Sequence, residues 1–399
     1  MTENELPPNM KPCGEFESID FSLLGGPLHR LGCQLGLTRG RTNTVWLGVA
    51  IGAFLWVVVL LLALIEGVGG QVFSTAAIGA HVRLLVAIPL FFLCETWLDP
   101  ELTAFVRGIV RNGVIPEAGL PTLNMEIART TRLKDAWLPE AVFLLASILL
   151  SVLAPKFYLT AVTAAHAASP TAGDMTLTGE WYWFVCLTLF RFLILRWIWR
   201  LGLWTRFLWR LSRLKPHLVP TNPDRTAGLG YLDVVHTQFI PLVLAISALE
   251  SGSLAEDIFA GRLTLEGVPL EFVFIFVADA ALFLAPLCIF VPMLWLCRVN
   301  GLRDYGALAT RYVSDFEKKW LGADAAAHET LLGTPDLQSL ADLSNSVNVV
   351  RNMRLIPVSR QTLVAFAVAA LAPMLPLLLL SYSVDMLAKN LFKTLLGLP

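Results

Sequence analysis

Charge is scarce in this chain. Asp, Glu, Lys and Arg make up 15% of its 399 residues, against 56% hydrophobic residues. A soluble domain keeps about a quarter of its residues charged, so a water-solvated globule is excluded and lipid is the solvent for most of the sequence. Cysteine is sparse too: Cys13, Cys33, Cys94, Cys186, Cys288 and Cys297 stand singly, with no CxxC among them. That leaves no thiol redox motif and no paired metal thiolates, and small apolar filler is the expected use. HExxH, GxSxG and the Gly-Lys-Ser/Thr ending of a P-loop are all missing. No metal, cofactor or catalytic residue is therefore expected, and the reading leans away from an enzyme.

What is present is a series of apolar stretches. A bilayer core about 30 Å thick needs roughly 20 helical residues to cross it. The candidates are 43–65, 80–98, 137–156, 181–202, 233–252, 270–297 and 361–383. The fifth is the weakest, because its apolar run is short, follows His236 and Gln238, and contains Pro241. Lys and Arg test the assignment, since they are retained on the cytoplasmic side of spans. The segments 1–42, 99–136, 203–235 and 298–360 hold 4, 5, 5 and 8 of them; 66–79, 157–180, 253–269 and 384–399 hold 0, 0, 1 and 2. The asymmetry predicts a seven-span, all-α bundle with its N-terminus in the cytoplasm and its C-terminus outside. It also supports the fifth span, without which the acidic 253–269 connection would share a side with the basic 203–235 loop. The net charge of −1 carries no message about nucleic acid. No cleavable signal peptide is expected, and the first span reads as a signal anchor. Arginine outnumbers lysine 22 to 8 and alanine and leucine dominate, which points to a GC-rich bacterial genome and the inner membrane.

The domain reading follows. Residues 1–42 form a cytoplasmic tail in which Leu24, Leu28, Leu31 and Leu35 suit an amphipathic interfacial helix started at Pro27. Residues 43–297 form a six-span body with cytoplasmic loops 99–136 and 203–235; the first of these is expected to hold two short helices. Residues 298–360 read as a cytoplasmic helical hairpin, one helix from about Leu302 to Leu321 and a second beginning near Asp336. The second helix carries a Leu337, Leu340, Leu343, Val347, Val350 stripe. Residues 361–399 give the seventh span and a short outer tail. Proline in spans two, five, six and seven permits kinks, and Gly48 and Gly52 permit close helix approach on span one.

Polar groups inside the bilayer mark candidate sites. Arg191 in span four and Asp279 in span six each fall roughly 13–15 Å below the outer surface at 1.5 Å per residue, so an Arg191–Asp279 pair is expected, either as a strut or as an ion-binding pair. Arg196 and Arg200 are expected to snorkel to the cytoplasmic interface. Glu95, Glu140, Asp224 and His236 all lie near that interface and could converge, which would suit a lipid-acting enzyme, the least favoured reading. In the 203–235 loop, Asp224 and Arg225 precede Gly228 and Gly230 at a helix start. Exposed N–H groups there would hold an anion or lipid headgroup; alternatively Asp224 and Arg225 form a capped turn bonded to backbone or to the 336–357 helix.

The stretch from Leu218 to Leu232, with its Pro-Asp-Arg and Gly-Leu-Gly, together with Asp336–Pro357, resembles a family of uncharacterised bacterial multi-pass inner-membrane proteins. The resemblance extends from span four to the C-terminus. It implies a helical integral-membrane fold, no established activity and no functional residue. Two functions compete: a transporter or channel for a small anion or amphiphile, and a scaffold or accessory subunit. The expected partners are bilayer lipid, anionic lipid at the cytoplasmic face, and a second copy or another membrane protein, with no nucleic acid.

Overall fold

The computed structural model describes residues 21–26, 41–165, 176–262, 268–321 and 334–377, and every regular element in these segments is helical. Helix α1 is Arg41–Ile65, α2 Ile88–Arg111, α3 Leu120–Lys134, α4 Trp137–Ala165 and α5 Leu187–Arg213. A short α6, Tyr231–Thr237, precedes α7, Ile240–Phe259; α8 is Val268–Leu284, α9 Val291–Trp320, α10 Pro335–Arg351 and α11 Arg360–Leu371. Among the described residues six helical stretches are long and apolar enough to cross a membrane, as an integral membrane protein requires. The region of α5 is not among them. Its length of 27 residues suffices, but Arg191, Arg196 and Arg200 break its apolar run.

Packing follows from which faces the sequence leaves apolar. Half of the most apolar stretch around α7 is buried, the largest share of the six, so α7 is the central helix; it packs against α2 on one side and α11 on the other. The stretch that includes α4 is only 11% buried, and Leu145, Ile148, Leu149 and Leu150 point away from the protein. Such a surface is tolerable only in lipid. Helix α5 lies between α4 and α3 and reaches the 3₁₀ turn Ala285–Phe290 that links α8 to α9.

At its two glycines helix α1 runs along α2 and the π-helical turn Val82–Ala87 that leads into it. A Cβ on Gly52 would stand 2.1 Å from the Leu84 carbonyl oxygen, and one on Gly48 would stand 2.7 Å from Phe92 Cβ. The small-residue spacing therefore serves contact within the chain. Proline breaks act where expected. In the seventh span the 3₁₀ turn Ala372–Met374 surrounds Pro373, and the hydroxyls of Ser247 and Ser251 on α7 donate to the Ala370 and Pro373 carbonyls. Hydroxyls of a neighbouring helix commonly satisfy carbonyls at such breaks inside membranes. The fifth stretch is divided at Gln238–Phe239 into α6 and α7, just before Pro241.

The hairpin is present, but its first arm is not separate: α9 runs unbroken for 30 residues out of the apolar region, about 45 Å at helical rise. Asp336 clasps the arms. Its Oδ2 accepts from Lys319 Nζ at 2.9 Å and Trp320 Nε1 at 3.1 Å, while Tyr312 donates to its carbonyl. These donors hold the half-buried Asp336 carboxyl below its ordinary range. Of the expected stripe, Val350 is buried and Leu337 is exposed, so the hairpin is anchored at its base. In the 99–136 region one helix, α3, is separate, because α2 continues through Arg111. The 27–40 part of the proposed interfacial helix, the 322–333 connection and the 384–399 tail lie outside the described residues.

Candidate functional site

Four charged side chains meet among α2, α4 and α5. Arg196 and Arg200 are one helical turn apart and so share a face of α5; both are buried, as is Glu95 on α2. Arg200 donates through Nη1 to Glu95 Oε1. Arg196 reaches Glu95 at 4.0 Å and Glu140, in the first turn of α4, at 3.7 Å. The arginines thus turn inward to carboxylates. The expected snorkelling is overturned because acids at matching depth on α2 and α4 offer better partners than a headgroup. Glu95 and Glu140 do converge, whereas His236 accepts from Trp204 Nε1 at 3.2 Å and Asp224 stays in its own loop.

The extended segment 21–26 lies over this cluster as a strap. Phe21 is fully buried and stacks on Phe207 at 4.4 Å; its carbonyl accepts from Thr103 Oγ1 at 2.7 Å. Ser22 donates to Asp99 at 2.5 Å, and the Gly25 carbonyl accepts from Arg196 Nη2 at 3.0 Å. Small spaces flank the strap on both sides. One is lined by Leu98, Leu102 and Trp197, the other by Phe143, Arg196 and Trp199; Leu23 and Arg200 border both. Arg200 stacks over the Trp197 ring at 5.2 Å, and its Nη2 is buried with no hydrogen-bond partner among the described residues.

Arg191 and Asp279 do not pair. Arg191 donates to Ser151 Oγ on α4 at 2.9 Å and lies 5.4 Å over Trp183, whose Nε1 donates to the Ser151 carbonyl. Asp279 is buried, its Oδ2 finds no donor among the described residues, and Glu250 on α7 acts on it as a like charge. The reason is rotational: the face of α5 bearing Arg191 meets α4, while α8 packs against α7 and α11. Equal depth is necessary for a pair and does not suffice.

In the 218–232 loop the N–H groups expected to face an external anion are bonded to the protein's own carboxylate. Asp224 Oδ1 accepts from Thr226 N at 2.8 Å, and Oδ2 from Gly228 N and Gly230 N, both at 2.9 Å. Gly228 has φ +103, and a Cβ on Gly230 would stand 2.8 Å from Asp224 Cβ, so both glycines serve this closed turn. Arg225 contributes its backbone: φ is 58 and its carbonyl accepts from Arg354 N at 2.7 Å. Arg354 also donates to the Asp224 carbonyl, which locks the loop to the segment after α10. The capped-turn alternative describes this geometry.

Sequence reasoning missed the Glu95–Arg196–Arg200–Glu140 cluster as a unit. The available signal was the four-residue spacing of the two arginines opposite two acids at the same end of neighbouring spans. No protein-family model, curated protein or solved structure matches the chain.

Proposed function

We propose that this is a seven-span inner-membrane protein, N-terminus inside and C-terminus outside, that binds and passes a small anion or an amphiphile with an anionic head through the Arg196–Arg200 cluster. One observation carries the reading: a buried arginine, Arg200, keeps a donor with no partner among the described residues and borders two small spaces that the strap residue Leu23 also borders. An unsatisfied buried donor costs about 1–3 kcal/mol, and a polar head entering in place of the strap relieves it. Leu98, Leu102 and Trp197 supply an apolar wall for a chain. Counting α5 gives seven spans, and the Lys/Arg asymmetry supports the orientation. The resemblance of the 218–232 loop and the 336–357 segment to uncharacterised inner-membrane proteins agrees with this placement.

The test is flux from proteoliposomes loaded with chloride or with dodecyl phosphate. Release of at least one above protein-free vesicles, and at least tenfold slower with Arg200→Gln, is expected. Release equal to protein-free vesicles for both solutes overturns the transport reading. A scaffold role is the second reading, favoured by the hairpin, whose Leu308, Val313 and Leu337 remain exposed beyond the body.

A further inference from the structure

An open groove of about 840 Å³ lies between the loop that follows α5 and the inner part of α9. Its floor is apolar, with Leu218, Met293 and Leu296. Leu296 and its neighbour Trp295 are more than half exposed, so the floor continues onto the lipid-facing side of α9. Its rim is basic: Arg213, Lys215 and His217 are all exposed.

The rim cations differ from those one turn earlier. Arg206 and Arg210 are both within 4 Å of Glu126. Arg213 and Lys215 have no carboxylate at that distance among the described residues, and Asp304, on the far wall, sits 3.2 Å from Arg303. Trp209 is exposed, with Arg210 and Arg213 stacked on its ring at 5.1 and 5.4 Å. An exposed tryptophan flanked by arginines at the end of an apolar helix belongs at headgroup depth. The rim is also held in place, since His217 N donates to the Val114 carbonyl at 2.7 Å.

From two cations that no described carboxylate reaches, above an apolar floor open to the bilayer, we infer that this groove is a binding site for an anionic phospholipid, its phosphodiester on Arg213 and Lys215 and an acyl chain along Leu296 and Met293. The site is separate from the Arg196–Arg200 cluster and does not depend on the transport reading.

The full chain, purified in mild detergent and titrated with phosphatidylglycerol and with phosphatidylcholine under native mass spectrometry, tests this. Phosphatidylglycerol is retained preferentially by the wild type. Arg213→Gln with Lys215→Gln weakens its retention about 30-fold, from roughly 1 kcal/mol per interfacial basic residue. Leu296→Trp, which fills the floor and leaves the rim intact, weakens it as well. Unchanged retention in either variant overturns the proposal. So does equal competition by glycerol phosphate or inorganic phosphate, which would make the groove a site for a free anion; an acidic peptide displacing the lipid at equal concentration would make it a protein-docking surface.

Discussion

Asp224 offers the sharpest quantitative test of how the 218–232 loop is held. Replacing it with alanine strips three backbone donors, at Thr226, Gly228 and Gly230, of a carboxylate acceptor. Hydrogen bonds to a charged group contribute about 1.5–3 kcal/mol each. Asp224 is half-buried, so water recovers part of the loss, and about 3–5 kcal/mol is expected to remain. Asn keeps one oxygen, which can serve the Gly228 and Gly230 pair while its amide faces the Thr226 N–H; about 1–2 kcal/mol is expected for Asp224→Asn. Arg225→Ala should stay within about 0.5 kcal/mol, because surface side chains with no partner contribute little, and Arg225→Gly should match or slightly exceed the wild type by relieving the positive φ. The assay is thermal unfolding in mild detergent, read as the monodisperse fraction on size exclusion after heating. Alanine should lower the midpoint by about 4–6 °C on the size scaling of the melting transition, with Asn intermediate. An unchanged Asp224→Ala midpoint, or a larger drop for Arg225→Ala, would refute the internal-cap account.

The α1–α2 contact predicts that Gly52→Ala costs about 1–3 kcal/mol, as overpacking against a backbone carbonyl does, whereas Gly202→Ala, with open space around it, is neutral or stabilising; the same heating assay separates them. Glu95→Gln leaves Arg200 without its charged partner in a buried site and should cost about 3–5 kcal/mol, and a double-mutant cycle with Arg200→Gln should recover a coupling above about 1 kcal/mol; additivity would break the pairing argument. The hairpin clasp should depend on pH. The Asp336 carboxyl is held below its unfolded value of about 3.9, so its contribution is full above about pH 4 and vanishes as pH falls through the lower folded value. Hydrogen exchange at 335–351 should rise in that acid window in the wild type and be insensitive to it in Asp336→Asn.

How much of this was legible in the sequence depends on whether a feature needs only composition or also rotation. Apolar runs located α1, α4 and α8, because residues facing lipid must be apolar whatever they pack against. The same rule understated α2, which runs on to Arg111 once it leaves the apolar region. The break before Pro241 and the start of α10 at Pro335 were readable from backbone chemistry alone. Arg191 and Arg200 were not, since depth along a helix is fixed by counting while the direction of a side chain is fixed by which neighbour each face meets. Asp224 was readable only as one of two alternatives: the Gly-rich turn signals an array of N–H donors, but only the fold shows that the occupant lies two to six residues upstream.

The strap also sets an order of events in making the protein. Residues 21–26 are synthesised well before their partners, which include Asp99, Asp135 and Arg196. At 5–20 residues per second, about 10–35 s separate the emergence of the strap from that of Arg196 and Arg200. During that interval Phe21 has no Phe207 to stack on and Glu95 has no arginine. Closing this contact over some 175 positions is therefore a late step, and a chain truncated before α5 leaves the strap undocked.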